Sequence, residues 1–191
     1  MEPGSDGKVL KNLLGIKTTR EMDRVEAQEL IRAQEELVRV YDQNHRFTAA
    51  DVCRIHRIWF GPVYEWAGKY RQVNISKSSF IFAAAVQIPK LMGEFENNFL
   101  RKYTPCQFSA SGKMAEAIAI VHVELLLIHP FREGNGRVAR LLAILMGLQA
   151  GLPPLNFKGI DGQKRQEYFV AVRKGLDRDY MPMVEVFNAL V

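Results

Sequence analysis

Cysteine is nearly absent from this chain. The 191 residues hold two, Cys53 and Cys106, far apart and without metal-ligand spacing. That excludes a disulfide scaffold and a cysteine-based zinc module, and a reduced, cytoplasmic setting is expected. Long apolar runs are also missing: His, Arg or Glu interrupts each one before the roughly 18 residues a membrane helix needs, so no membrane association is expected. The opening stretch MEPGSDGKVL has no apolar centre, so no secretory signal is expected. No G-x-x-x-x-G-K-[ST] occurs anywhere, which rules out a Walker A loop.

What is present suits a folded domain. Hydrophobic residues make up 48% and charged residues 25%, enough for one core and too apolar for disorder. The net charge of +5 raises the question of nucleic acid. Basic and acidic residues alternate along the chain, however, so nucleic acid is not expected as the main partner; phosphate-bearing ligands suit the charge better.

Periodicity and punctuation predict a mainly α protein. Residues 1–10 read as a loose end. Thr18 and Glu21 have capping-box spacing and open a helix with Met22, Val25, Leu30, Leu37, Val38 and Tyr41 roughly on one side. Thr48 opens a second helix that ends near Gly61-Pro62. Residues 61–80 lose the helical period; YRQVNI alternates, SKSS is turn-like and FIFA follows, which predicts a small β-hairpin. Helix resumes from about Val86 to Tyr103, with Pro89 in its first turn. Ser109 is expected to cap a long, buried helix, GKMAEAIAIVHVELLLI. RVARLLAILMGLQA is a second such helix, ended by Gly151 and Pro153-Pro154, and two more close the chain. The count is about seven helices and one hairpin.

Between the two apolar helices lies a polar knot, HPFREGNGRVAR, residues 129–140. GNGRVA fits the loose dinucleotide fingerprint. That reading needs a preceding strand and an acidic residue about 20 positions later, and no Asp or Glu occurs between Glu133 and Asp161. His122 and His129 lie roughly 10 Å apart on a helix, too far for one zinc ion. His122 reads instead as a hydrogen-bonded histidine at the core edge. Cys53 and His56 share a helical face, but a buried structural cysteine is the better reading.

The knot's own chemistry points elsewhere. Pro130 stops the helix, so His129 is fixed at its end, where a neutral imidazole can serve as general base. Gly134, Asn135 and Gly136 precede a new helix whose free N–H groups and positive dipole end make an anion cradle. Arg137 and Arg140 add two guanidinium forks, which suits polyphosphate. Glu133 would be repelled by phosphate alone, and Mg²⁺ between them resolves that conflict. The plain alternative is a polar connection in which Glu133 pairs with Arg137 or Arg140.

These residues resemble the signature of Fic domains, H-x-F-x-[DE]-G-N-G-R-x-x-R, at every fixed position. EWAGKYR (65–71), FIFAAAVQIP (80–89) and QEYFVAV (166–172) are similar to the flap and the flanking helix of that family, so the resemblance covers about residues 20–190. It implies an all-α Fic fold, a helical bundle around two central buried helices with a hairpin flap. Residues 1–18 would be an N-terminal tail and 19–191 a single catalytic domain. The implied activity is protein adenylyltransfer: AMP moves from ATP to a Ser, Thr or Tyr hydroxyl of a target protein, and pyrophosphate leaves. By position, His129 would be the base and Glu133 would hold Mg²⁺. Gly134, Asn135 and Gly136 would cradle the α- and β-phosphates, Arg137 would meet the β-phosphate and Arg140 the γ-phosphate. Phe131 would fix the loop in the core. Phe80, Ile81, Phe82, Ala83 and Ala84 would dock the target, and Tyr168 and Phe169 would line the adenine side. The alternative within the same fold is a protein kinase or another phosphate-group transferase; the glycine at Gly136 speaks against the kinase-like Doc branch.

One departure stands out. Many Fic proteins carry [ST]-x-x-x-E-[GN], whose glutamate covers the second motif arginine. No Ser or Thr here has Glu four residues on. Two expectations follow: either a small antitoxin chain supplies the glutamate, making this the toxin of a toxin–antitoxin pair, or the enzyme is not restrained in that way.

Overall fold

Thr18 caps the first helix as its spacing suggests: its Oγ1 accepts from the Glu21 amide at 3.3 Å, and α1 spans Thr19–Val40. In this computed structural model, which describes residues 1–77, 80–108 and 110–190, Met22, Glu26, Ala33 and Leu37 form the buried stripe of α1. Val38, expected on that stripe, is exposed. Helix α2 spans Ala49–Phe60 behind a reciprocal capping box between Thr48 and Asp51. Its inner face (Val52, Ile55, His56, Trp59, Phe60) packs toward α1 and toward the helix that follows the polar knot.

Residues 1–18 carry no helix or strand, but residues 1–10 are not the loose end expected. Val9 and Ile16 are buried. The Asn12 side chain donates to the carbonyls of Leu10 and Ile16 and accepts from the amides of Leu14 and Ile16. The Leu13 amide donates to the Val63 carbonyl. A single Asn that satisfies its own turn orders this segment without any hydrophobic period to announce it.

The hairpin is smaller than YRQVNI suggested. Strand β1 is Ser76–Lys77 and β2 is Phe80–Ile81, antiparallel, with Ser76 opposite Ile81 and Lys77 opposite Phe80. So short a ladder is not stable alone, and its support comes from a buried arginine described below. After a 3₁₀ turn, α3 (Ile88–Phe95) runs through a π turn at Glu96–Leu100 into α4 (Arg101–Tyr103). The expected helix to Tyr103 therefore exists but changes pitch part-way.

Two helices form the centre, α5 (Ser111–Ile128) and α6 (Asn135–Gln149). They pack on each other, and α5 is flanked by α3, α7 (Gly162–Lys174) and α8 (Met181–Asn188). Ser109, the expected cap of α5, lies outside the described residues. Counting α3 to α4 as one bent helix gives seven helices and one hairpin among the described residues, a mainly α architecture. Their buried side chains form one cluster, with Trp59, Phe60, Phe95, Phe131 and Phe187 among its largest members. Among the described residues, no helix is long and apolar enough to cross a membrane.

Candidate active site

His129 ends α5 in the left-handed conformation, φ 53° and ψ 60°. A residue with a β-carbon resists that region, at a cost of roughly 1–3 kcal/mol, unless its surroundings hold it there. Arg71 does so: its Nε donates to the His129 carbonyl at 2.8 Å, and its amide donates to the Pro130 carbonyl at 2.9 Å. The imidazole is fixed as well. Nδ1 faces the Leu126 carbonyl at 2.9 Å, and a carbonyl can only accept, so Nδ1 carries the proton and Nε2 keeps its lone pair. Phe82 stacks on the ring with centroids 3.9 Å apart. Burial lowers the His129 pKa to about 4; the charges of Lys77 and Arg71 push the same way, while the Leu126 bond and Glu133 oppose it. The imidazole is thus neutral at pH 7, with Nε2 ready to take a proton.

The loop after His129 is closed from inside. The Asn135 carboxamide accepts from the Phe131 amide and donates to the Phe131 carbonyl, both at 2.8 Å. Phe131 is fully buried and stacks on His56 with centroids 4.0 Å apart. Nδ1 of His56 accepts from the Gly68 amide at 2.8 Å, so its Nε2 donates to the Glu133 carbonyl at 3.2 Å. Burial brings its pKa to about 4. Both ring nitrogens are spent on backbone, so His56 activates no thiolate; burial raises the pKa of Cys53. The side chain of Asn135 is therefore a loop staple, and what it can offer a phosphate is its backbone N–H.

The cradle follows. Gly134 precedes α6 at φ 82°, and a β-carbon there would lie 2.7 Å from both Trp59 and Phe60. Only glycine meets both demands. A β-carbon on Gly136 would meet nothing within 4 Å. The α6 ladder starts with the Val138 amide on the Gly134 carbonyl, so the amides of Asn135, Gly136 and Arg137 precede it and remain for an anion.

The two motif arginines part company. Arg137 lies over the Trp59 ring at 4.5 Å, with Nη1 on Oε2 of Glu26 at 2.6 Å and Nη2 on Oε1 of Glu133 at 3.3 Å. Arg140 lies over Phe157 and Tyr168, its guanidinium carbon 5.6 and 5.8 Å from the ring centroids. Among the described residues no carboxylate pairs with Arg140, and its buried Nε has no acceptor. A buried donor without a partner beside free helix amides fits an incoming anion. Glu133 is half-exposed, and among the described residues its carboxylate is held only by its neighbour's amide and by Arg137. No cluster of three or more His, Cys, Asp or Glu occurs among the described residues. One exposed carboxylate beside a phosphate cradle suits Mg²⁺, which is commonly held by a carboxylate or two together with substrate phosphates.

Tyr168 is buried, which differs from a place on an adenine surface. Its hydroxyl meets Nε2 of His122 at 2.5 Å, and Nδ1 of His122 meets the Ala139 carbonyl at 3.0 Å. The carbonyl fixes the proton on Nδ1, so Tyr168 donates to Nε2, and the Arg140 guanidinium lies over its ring. Phe169 is partly exposed, with the Lys77 ammonium 4.9 Å from its ring. The flap reaches the site through Phe82, stacked on His129, and through Phe80, 4.9 Å from Phe82. Ile81 is exposed, and Ala83 and Ala84 are partly covered.

Sequence reasoning missed four residues of this site. Glu26 leaves a signal, a charge on the stripe of Met22, Ala33 and Leu37. Arg71 is buried and also donates to the carbonyls of Val73 and Ala83, at 2.8 and 2.5 Å, tying the flap to His129. It and Lys77 leave no signal in the residues around them. His56 shows only as a histidine on an apolar face.

The Fic/DOC family model matches residues 46–146. Protein adenylyltransferase VbhT of Bartonella schoenbuchensis is 34% identical over 143 residues, covering 75% of this chain and 30% of that protein. Protein adenylyltransferase Fic of Nematostella vectensis is 29% identical, covering 74% of this chain and 32% of that protein. The chain thus spans about a third of the length of these curated relatives. Among solved structures, BepC of Bartonella tribocorum with bound AMPPNP superposes with a TM-score of 0.79 at 24% identity, covering 96% of this chain and 92% of that one. The N-terminal Fic domain of a Bartonella quintana Bep effector with bound ADP gives 0.76 at 25% identity, covering 96% and 90%.

Proposed function

Since this chain belongs to the Fic/DOC family, we propose that it is a protein adenylyltransferase, moving AMP from ATP to a hydroxyl of a target protein. The observation that carries this reading is the free Nε2 of a neutral His129 beside the N-terminus of α6. Nε2 takes the proton of a target Ser, Thr or Tyr. The oxygen attacks the α-phosphorus, the bond to the bridging oxygen breaks, and pyrophosphate leaves. The amides of Asn135, Gly136 and Arg137 hold phosphate oxygens; the Arg137 fork meets the β-phosphate and Arg140 the γ-phosphate. Glu133 would hold Mg²⁺, which when bound offsets charge on the phosphates. The hairpin, fastened by Arg71, would register the target by strand addition, with Phe80, Ile81, Phe82, Ala83 and Ala84 as its docking edge. Phe169 at the rim would face the adenine. Cys53 and Cys106 are free thiols, in keeping with a cytoplasmic setting.

The test is direct. Protein incubated with Mg²⁺ and ATP labelled at the α-phosphate should transfer label to protein; transfer from the γ-position alone would make it a kinase. His129→Ala should lose transfer by at least roughly 100-fold, the lower end of the range for a general base, and still bind nucleotide. Transfer at near wild-type rate would remove His129 from that role. The uncovered Arg140 favours restraint by a small antitoxin chain with a glutamate for that guanidinium. In cell lysate, strong labelling of targets by the wild-type protein would leave no such restraint to explain.

A further inference from the structure

Glu26 sits on α1, far from the motif in sequence, and only 6% of it is exposed. Its carboxylate is shared between two groups: Oε1 accepts from the Tyr64 hydroxyl at 2.7 Å, and Oε2 accepts from Nη1 of Arg137 at 2.6 Å. Its backbone carbonyl accepts from the Trp59 indole at 3.0 Å, and that same indole is the surface on which Arg137 lies. Trp59 stacks in turn on Phe60, the other ring that Gly134 must clear. The floor beneath the cradle and the carboxylate that grips Arg137 are therefore one unit.

Among the described residues nothing else holds Arg137 so firmly. Its contact with Glu133 is longer, at 3.3 Å, and Glu133 is half-exposed. If Glu133 turns to a metal ion, that contact is lost. Glu26 is held in place: the Tyr64 hydroxyl occupies its other oxygen, and the side chain is buried. It takes one nitrogen and leaves Nη2, which here meets only the exposed Glu133, to turn to a phosphate once that contact opens. A brake would cover the fork; this carboxylate orients it.

We propose that Glu26 is a positioning residue for phosphoryl chemistry: it tethers Arg137 on Trp59, so that the second guanidinium nitrogen meets the β-phosphate at the moment its bond to the α-phosphate breaks. The inference rests on the adenylyltransferase reading for its kinetic consequence, though not for its structural one. It also divides labour: the charge of Arg137 is already balanced within the protein, leaving Arg140 as the uncompensated cation for ground-state binding of ATP.

The experiment is ¹⁵N NMR of the arginine side chains in the protein without nucleotide, paired with AMP-transfer kinetics. In wild type the Arg137 guanidinium should give separate, slowly rotating Nη signals; in Glu26→Gln they should average together. In the same variant kcat should fall by roughly 10- to 100-fold, the range expected when a reacting group is held out of place, while KM for ATP stays level or falls because a negative charge has gone. Tyr64→Phe keeps its ring stacked on Trp66 and should show a smaller loss in both readouts, which covers the case in which Glu26→Gln fails to fold. Unchanged Arg137 signals, an unchanged kcat, or faster transfer in a folded variant would each overturn the proposal. A wild-type protein that transfers no AMP would instead overturn the functional reading, and the NMR comparison would still judge Glu26.

Discussion

At the scale of single residues, the two glycines of the cradle separate folding from binding. Gly134→Ala puts a β-carbon 2.7 Å from two aromatic rings at φ 82°. Left-handed strain and overpacking together should cost about 2–5 kcal/mol, visible as a large fall in the denaturant midpoint. Gly136→Ala meets open space, so the midpoint should stay within roughly 0.5 kcal/mol while ATP affinity falls, because the added methyl stands where phosphate must approach the backbone. Equal stability losses in the two would refute the distinction. His129 makes a second prediction. A base works when neutral, and this one is neutral above about 4. kcat/KM should therefore hold as pH falls from 7 to 5, whereas an unperturbed imidazole would shed most of it below about 6.5. These properties were partly legible beforehand. The motif spans twelve contiguous residues, so the proposed base, metal ligand and cradle follow one another in order. Which ring nitrogen is free, and that the Asn135 side chain serves the loop, depend on carbonyls that only the folded path supplies.

At the scale of elements, α5, α6 and α7 meet at one chain of hydrogen bonds, from the Ala139 carbonyl through His122 to Tyr168, and Arg140 lies over the ring of Tyr168. The apolar period of α5 made its burial legible, and His122 could be read as a satisfied core histidine. That its partner would come from α7 could not be read, because Tyr168 stands 46 residues away. The same holds for Glu26, whose bond to Arg137 spans 111 residues, and for the flap, whose short strands depend on Arg71 instead of on an alternating pattern. Local signals locate elements, while long-range polar contacts are decided by how the elements pack. Tyr168→Phe tests the chain. It leaves the buried Nε2 of His122 without a donor, which should cost about 1–3 kcal/mol of stability. Without that bond the ring on which Arg140 lies is no longer fixed, so affinity for ATP should fall more than affinity for ADP, which lacks the γ-phosphate. Equal losses for the two nucleotides would remove Arg140 from the γ-position.

At the scale of the whole molecule, the active site and its supports share one electrostatic property. His56, His122 and His129 are each brought to about 4 by burial, and each spends a ring N–H on a backbone carbonyl. The unfolded chain takes up protons on these side chains near pH 6.5, whereas the native one does not until about 4. Between those values the unfolded state binds more protons, so stability must rise with pH there and be lost as pH falls. Asp51, held below its usual range by Thr48 and His45 against its own desolvation, adds a loss in the same direction at lower pH. Glu124, raised by burial, opposes it, since its protonated form is favoured in the native state. Between pH 6.5 and 4 the three histidines outweigh the one carboxyl, leaving a net loss on the order of several kcal/mol. Urea midpoints at pH 7 and pH 5 should differ by a clear margin, and the imidazole resonances of all three histidines should still report neutral rings at pH 5. If the midpoint does not move, the burial of these rings carries no such cost. If the His129 ring is already charged at pH 5 while the other two are neutral, the site is open to water in a way that would also deny it a base at neutral Nε2.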